Sequence, residues 1–531
     1  MAKNNSSAYV PMDDGIYSFI STCIAKELLP LSTLSTQPLS RSDIAMILYA
    51  VTKSDNSLMD NNLQQDMDFY CKEYSKEIIA ISKNQIINDA VRTVRRADGG
   101  ITGKAREGHW HIWQRESEEF SIVFDPIVRF SIDADDEYTI LRRTTGIALH
   151  GTAKSKIGYY FRFTDSVERG KGKYGNRNDL LDDNYGYVGP LQSGEETYYD
   201  MTEAYLTFQS EYFRAVFGKD RLRWGGMPDE GLLLSGLGPS YDHFRWQVEF
   251  LDIFKFDHVV AQLRPFRTPE DTLYKTNGGW VRSIAAPKWL AAHKFEVMPW
   301  DWVIVGFGEA VVWGERDLDI AYLNPLNFYY SAEHDGGDQD NALMWGYLLF
   351  RLPQGILMFG ELLLDDLKLS TLGEGDPGNR IGVAGGVQLS NLKLDGLRIN
   401  ADYTRLQPYV YSHFYPVNRY STWTTSLGSD LPPNADRFRL NASYRPTRKL
   451  EFSLELQSIR HGDRGAELLE GIPAGSDPIY FLSDNYKEWV GSQMSVNFEL
   501  YPYVFIEIGN INNDELSFMP DRYYVSTSYR F

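Results

Sequence analysis

The residue types with the greatest chemical reach gather in long polar stretches rather than in catalytic spacings. Arg223 and Trp224, Trp280, Trp313, Tyr329 and Tyr330, His334, Asp340 and Asn341, Tyr409 and Tyr411, and Trp423 combine aromatic faces with fixed polar groups. Aromatic faces suit the apolar side of a sugar ring, and the polar groups suit its hydroxyls. Arg223, Trp224, Trp313, Tyr329, Tyr330, His334, Asp340 and Asn341 form the candidate glycan-binding set. The competing reading of a Trp or Tyr near a strand end is an interfacial aromatic girdle. Trp300 and Trp302, beside a short link, read as girdle; Trp224 and Trp313, next to glycines at the base of long links, suit either role. Asp365-Asp366, Asp182-Asp183 and Asp335-Asp338-Asp340 offer hard oxygen ligands for calcium, but without EF-hand spacing they read as solvated loop carboxylates. Paired carboxylates also suit glycoside hydrolysis, yet among 72 acidic residues chance pairs are certain. No Gly-x-Ser-x-Gly, metal-ligand His spacing or Walker loop is present. The expectation is binding without catalysis, cofactor or metal.

The elements that position these residues fall into two parts. The chain has 531 residues, 14% of them aromatic, and a formal charge of −19. That charge argues against a nucleic-acid partner, whose affinity rests on basic phosphate contacts. No stretch approaches the roughly 18 apolar residues of a transmembrane helix. Met1 to Ser7 is polar and lacks the apolar run of an export signal, so the chain reads as a mature or re-engineered start. Residues 1–103 read as a helical domain. Ile16, Phe19, Ile20, Cys23 and Ile24 recur at helical spacing after Asp13-Asp14. Ser40 to Thr52 is a second helix, with Ser40 and Asp43 at capping-box spacing, and Leu63–Lys83 and Gln85–Arg95 continue the pattern. Ala97 to Gly103 is a glycine-containing break. Cys23 and Cys71 fit either a disulfide permitted by an oxidising periplasm or two unpaired thiols.

From residue 104 to 531 the period is two. Phe438, Leu440, Ala442 and Tyr444 interleave with Arg437, Arg439, Asn441, Ser443 and Arg445, and Leu450, Phe452, Leu454 and Leu456 with Glu451, Ser453, Glu455 and Gln457. About eighteen strands can be placed, and the links between them alternate in length. Ser210-Glu211, Met298–Asp301, Leu352–Gly355, Pro446–Arg448 and Tyr501-Pro502 are short. Asp165–Tyr199, Lys219–His243, Pro265–Lys288, Gly314–Asn341, Gln407–Asp436 and His461–Tyr486 are long. A soluble sandwich also alternates polar and apolar residues, but only outer-membrane barrels have reason to alternate short periplasmic turns with long extracellular loops. The predicted fold is therefore an all-β transmembrane barrel of about 18 antiparallel strands, with a small N-terminal α-helical domain in the periplasm.

One hairpin allows a register to be derived. Charge is costly on a lipid face, and the side-chain period of two fixes the parity of pairing. Tyr444 opposite Leu450 satisfies both strands, placing Arg439 opposite Glu455 and Ser443 opposite Glu451 in the lumen. A slip of two keeps parity and stays open, so Arg439 and Glu455 are expected as direct or diagonal lumen neighbours. Arg437, Arg439 and Arg445 beside Glu451 and Glu455 would then brace the wall or line a selective pore.

Several segments together resemble the Wzi-like capsule-assembly family of outer-membrane proteins. They are Phe217-Gly218-Lys219-Asp220-Arg221-Leu222-Arg223-Trp224-Gly225-Gly226 with Gly231-Leu232-Leu233-Leu234-Ser235; Ala291 to Val297 with Gly306 to Glu309 and Trp313-Gly314; and Tyr322 to Tyr329 with Asp340-Asn341-Ala342 and Gly360 to Asp366. Tyr17, Pro38-Leu39-Ser40-Arg41 and Ala45 match the start of the family, while Lys219-Asp220 and Gly226 depart from its pattern. The resemblance implies an eighteen-stranded barrel occluded by loops, a helical bundle against the periplasmic mouth, and lectin-like retention of capsular or another surface polysaccharide. The terminal aromatic Phe531, with Tyr529 two before it, resembles the signal read by the barrel-assembly machinery. Outer-membrane lipids and lipopolysaccharide are the remaining expected partners. The alternative from another class is a channel or porin tethered or plugged by its N-terminal domain.

Overall fold

The computed structural model describes residues 6–529, apart from 32–33, 55–58, 82–110, 118, 135–138, 155, 171–190, 194–195, 227–230, 252, 266–272, 280, 284–285, 391, 393, 469, 473–477, 484, 502 and 514–520. The expected helix Gln85–Arg95, the break at Ala97–Gly103, Asp182-Asp183, Trp280 and Phe531 lie outside the described residues.

Eighteen antiparallel strands close into a barrel. The first wall strand, Phe120–Ala134, pairs with the last, Arg522–Tyr529, through Tyr523↔Ala134 to Tyr529↔Val128. Each remaining wall strand pairs with its sequence neighbours, which abolishes sheet edges. Large apolar residues such as Phe307, Phe438, Phe452 and Leu456 lie exposed on the outer face, while their alternates turn inward. Trp300 and Trp302 stack at 5.5 Å beside a short turn, exposed as a girdle requires.

The derived hairpin register is corrected by two residues, and its parity holds. Leu440 faces Leu456, Ala442 faces Leu454 and Tyr444 faces Phe452, so Arg439 stands opposite Gln457 and diagonal to Glu455. The cause is a bulge between Tyr444 and Thr447. Pro446 has no N–H for the ladder, and bulges are where a strand tolerates proline. The lumen arginines also find different carboxylates from those expected: Arg439 pairs with Asp402 at 3.1 Å, Arg437 with Asp430 at 3.0 Å, and Arg445 with Asp66 at 2.7 Å.

The last of these pairs joins the wall to the helical segment. Helices Ile16–Ala25, Arg41–Val51, Asn61–Glu73 and Ser75–Ile81 pack at the short-turn end of the barrel. The Ser40–Asp43 capping box forms as expected, and Asp43 also pairs with Arg214 of the wall at 2.6 Å. Arg351 donates to the Leu29 carbonyl at 2.5 Å, and Ser21 to Gln388 at 2.8 Å. Cys23 and Cys71 are free thiols, which decides against the disulfide. One apolar core runs from Ile16, Ile20 and Leu48 through Trp224 and Leu232–Leu234 to Trp345, Tyr411 and Tyr420, so the core of this protein lies inside its barrel.

Candidate functional site

The candidate residues separate into three environments. The first is the lumen. After the strand Phe213–Asp220 the chain turns inward, and Arg223–Trp224 pairs with Thr36–Gln37, a short strand from the helical segment. Trp224 is buried, and the Lys294 ammonium stands 5.7 Å from its ring centre. Lys294, fully buried, donates to the Ser35 carbonyl at 3.0 Å and to Thr36 Oγ1 at 2.6 Å. Asp257 at 3.5 Å and Glu296 at 3.3 Å neutralise it, which a buried cation requires. Gly225 has φ +122°, and a Cβ there would meet Glu361 Oε1 at 2.2 Å, so only glycine lets the chain approach that carboxylate. Glu361 in turn accepts from Trp345 Nε1 at 3.0 Å and from the Leu232 amide at 2.8 Å. From the long-loop side, Tyr411 and Tyr420 donate to the carbonyls of Leu232 and Leu233 at 2.6 and 2.8 Å. The Gly231–Ser235 stretch is thus held between the wall, the helical segment and a second loop.

The second environment is the outer face of the wall. Residues 315–340 connect Val303–Gly314 to Asn341–Leu352 and fold back over the outside of the barrel. Strand parity establishes this. Trp313, Val311 and Glu309 share the outward face with the exposed Phe307, and His293 shares it with the exposed Phe295. His258, His293 and Glu309 are laterally adjacent on three outward-facing strands. Glu309 lies six residues along its strand from Val303. At about 3.3 Å per residue and a tilt near 40°, that is about 15 Å above the Trp300–Trp302 level, inside an apolar band about 25 Å tall. Uncovered, these polar groups would face lipid. Tyr329 covers them: its amide donates to Glu309 Oε2 at 3.0 Å, its ring lies 4.4 Å from that of His293, and its hydroxyl is 3.1 Å from His258 Nε2. Trp313 packs on Tyr322 at 4.9 Å, and its indole N–H donates to the Asp317 carbonyl. Asp340 is buried and accepts from Tyr322 Oη and Arg316 Nη1, both at 2.7 Å. Asn341, opposite Val312, has the inward parity and is buried at the head of the returning strand, so it belongs to the lumen side.

The third environment is the accessible side of helix Tyr329–Gly336, which starts at the Glu309 level and climbs to the rim at the long-loop end. Tyr330 is partly exposed and His334 exposed, with ring centres 4.5 Å apart. Glu333 lies between them in sequence. Burial, together with Asp340, Asp338 and Asp366, pushes its carboxyl up to about 8. Arg380 donates to the Asp365 carbonyl at 2.9 Å and pairs with the Asp365 carboxylate at 3.5 Å. Burial pushes Asp365 up to about 7, and burial beside Arg380 pushes His413 down to about 4. Asn418 donates to the Gln339 carbonyl at 2.7 Å, tying this rim to the loop that carries exposed Phe414 and Tyr415.

Of the eight candidates, Tyr330 and His334 thus come together on accessible surface. Trp313, Tyr329 and Asp340 come together behind them as support, Asn341 turns inward at the head of its strand, and Arg223 and Trp224 lie apart in the lumen. Sequence reasoning missed Glu333, Arg380, His413 and Tyr415. Glu333 was within reach of it, one helical turn beyond the Tyr329-Tyr330 pair. Asp365 and Asp340 are salt-bridged rather than solvated, whereas Asp335 and Asp338 are exposed. Among the described residues no group of His, Cys, Asp and Glu has metal-binding geometry.

No family model matches the chain, and no curated relative matches it. Among solved structures it is similar to Wzi, an outer-membrane protein involved in group 1 capsule assembly in Escherichia coli and described as a carbohydrate-binding β-barrel. The identity is 13%, the likeness covers 98% of this chain and 99% of that one, and the TM-score is 0.57. Two porin-sized barrels match less of it: Pseudomonas aeruginosa OccK5 (OpdH), 9% identical over 78% of this chain and 98% of that one, TM-score 0.43, and Acinetobacter baumannii OccAB2, 8% identical over 78% and 99%, TM-score 0.44. The chain has the fold of an eighteen-stranded outer-membrane barrel of the Wzi type.

Proposed function

We propose that this protein is a Wzi-like surface component that holds capsular or related surface polysaccharide, without catalysis, on the extracellular end of a closed barrel. The observation that carries this reading is the division of labour among the aromatic residues. Those in the lumen are consumed in filling it, while Tyr330 and His334, on the helix that climbs to the long-loop rim, and Phe414 and Tyr415, on the rim loop tied to it, keep accessible faces. A rigid aromatic face beside fixed polar groups is what a sugar ring needs. The fold shared with a carbohydrate-binding barrel supports the same reading. In this reading the long loops are extracellular and the helical segment is periplasmic. Tyr330→Ala with Tyr415→Ala should release surface polysaccharide from cells while the barrel keeps its heat-modifiable migration. Unchanged retention would defeat the proposal.

One observation favours a channel as the second reading. A cavity of about 350 Å³ lies between the helical segment and the wall, lined by Arg129, Arg162, Arg445 and Arg448 opposite Asp13, Asp14 and Glu451. Planar-bilayer conductance separates the two. A polysaccharide holder with a filled lumen passes little current, and stepwise porin-like current would favour the channel.

A further inference from the structure

The segment 315–340 has two faces, and only one is accounted for by the wall. Its inner face covers His258, His293 and Glu309. Its outer face carries Leu318, Ile320, Leu323, Leu326 and Phe328, of which Ile320 is 81% and Leu326 86% exposed. Five large apolar side chains presented together by one surface loop need a partner.

The geometry points to lipid: we propose that this segment is a flap whose outer face lies against the acyl chains of the outer leaflet. The proposal rests on the membrane placement of the wall and is independent of the polysaccharide reading.

Three observations carry it. The first is depth. The Tyr329 amide donates to Glu309 Oε2, so the chain at Phe328–Tyr329 descends to a level where the wall itself is apolar, with Phe307 and Val305 exposed just below. The flap's apolar face continues that band. The second is the pattern along the segment. The apolar residues occupy its middle, whereas Glu315 and Asp317 near its start and Asp335 and Asp338 near its end are exposed. Such a chain dips from the rim and returns to it. The third is polar satisfaction inside the dip, which a lipid-contacting segment requires. Asp319 caps the Ala321 amide at 2.9 Å, Asn324 Oδ1 accepts from the Leu326 amide at 3.2 Å, and Asn327 donates to the Ala321 carbonyl at 3.0 Å. Asp319, Asn324 and Asn327 thus each bond the segment's own backbone, and Tyr322 turns its hydroxyl inward to Asp340.

The test uses the full chain with Cys23→Ala and Cys71→Ala, reconstituted in phosphatidylcholine vesicles. Spin labels are placed singly through Ile320→Cys and Leu326→Cys, with Phe217→Cys as the wall reference (Phe217 is 68% exposed) and Asp335→Cys as the aqueous one. Collision with oxygen reports lipid, and collision with a water-soluble nickel chelate reports water. Labels at 320 and 326 should match Phe217, with oxygen dominant, while Asp335 shows nickel dominant. Nickel dominance at 320 and 326 would overturn the proposal and leave an ordinary aqueous loop. Exclusion of both reagents there would also overturn it, in favour of a second copy or a protein partner. Nickel dominance at Phe217 would overturn the membrane placement of the wall and the flap with it. Two labelled positions keep the test open if one substitution prevents assembly.

Discussion

Two aromatic-glycine stretches, Trp224-Gly225 and Trp313-Gly314, look interchangeable in sequence, and the structure puts them on opposite sides of one wall. Trp224 stands beyond the end of its strand, so its position is set by what it pairs with: Thr36–Gln37, nearly two hundred residues earlier. Trp313 is still within a wall strand, so parity fixes it outward with Phe307 and Val305. One loop became part of the core inside the barrel, and the other became cladding outside it. A buried tryptophan in a barrel therefore has no single meaning. The side it faces decides whether it closes the lumen or protects the wall from its own polar residues.

The sharpest way to break this comparison is to remove both rings. Either Trp→Ala change should cost about 3–5 kcal/mol, as truncation of a buried Trp commonly does. Their other consequences should diverge. Trp224→Ala empties space between Lys294 and Glu361 and should raise conductance in planar bilayers. Trp313→Ala loosens the outer segment and should leave conductance at the wild-type level. Equal conductance in the two variants would contradict the assignment of the two loops to opposite faces.

A test next in size concerns the cladding alone. Arg316→Ala leaves the buried Asp340 carboxylate without its cation. Because Arg316 is itself about a third exposed, the cost should be nearer 1–2 kcal/mol than the full penalty for a buried pair. Hydrogen exchange should quicken across residues 317–340 and stay unchanged at Arg223–Ser235. Equal quickening in both loops would mean that they are coupled through the wall.

Orientation comes next. An impermeant maleimide should label Asp335→Cys on intact cells and leave Thr447→Cys, beside the tight turn at Arg448-Lys449, unlabelled. The reverse pattern would invert the barrel and put the rim in the periplasm.

The smallest effect is a pH dependence. The Glu333 carboxyl is raised to about 8 in the folded protein, against the ordinary 4.5. A raised folded value means that the neutral form is the one the fold favours. Its stabilisation is complete below about pH 4.5 and is lost as pH rises through about 8. Exchange of amides 329–340, corrected for intrinsic rates, should therefore be faster at pH 9 than at pH 6. In Glu333→Gln this difference should vanish, and its persistence would place the titrating group elsewhere.

Much of this was legible in the sequence for definite reasons. Strand parity and the alternation of link lengths are local and redundant, so the eighteen-stranded wall, the Ser40–Asp43 cap and the outward Phe438 and Phe452 could all be read. The hairpin register differs by two because Pro446 lies inside the strand at a bulge rather than in the turn, and side-chain parity alone does not reveal a bulge. The pairing of Thr36–Gln37 with Arg223–Trp224 could not be derived, since two-residue strands leave no period to detect. The flap does leave a signal in the sequence. His293 and Glu309 carry the same parity as Phe295 and Phe307, and polar residues on a lipid-facing register imply that something covers them.

Binding of purified full-length protein to surface polysaccharide from the same bacterium tests the central claim most directly. The account predicts saturable binding by the wild type, retained by Trp224→Ala, whose ring faces the lumen. Tyr330→Ala with Tyr415→Ala should lose about 2 kcal/mol, about thirtyfold in affinity, if each ring contributes about 1 kcal/mol by stacking. Absence of binding by the wild type, or undiminished binding by the double variant, would contradict a polysaccharide site at the rim.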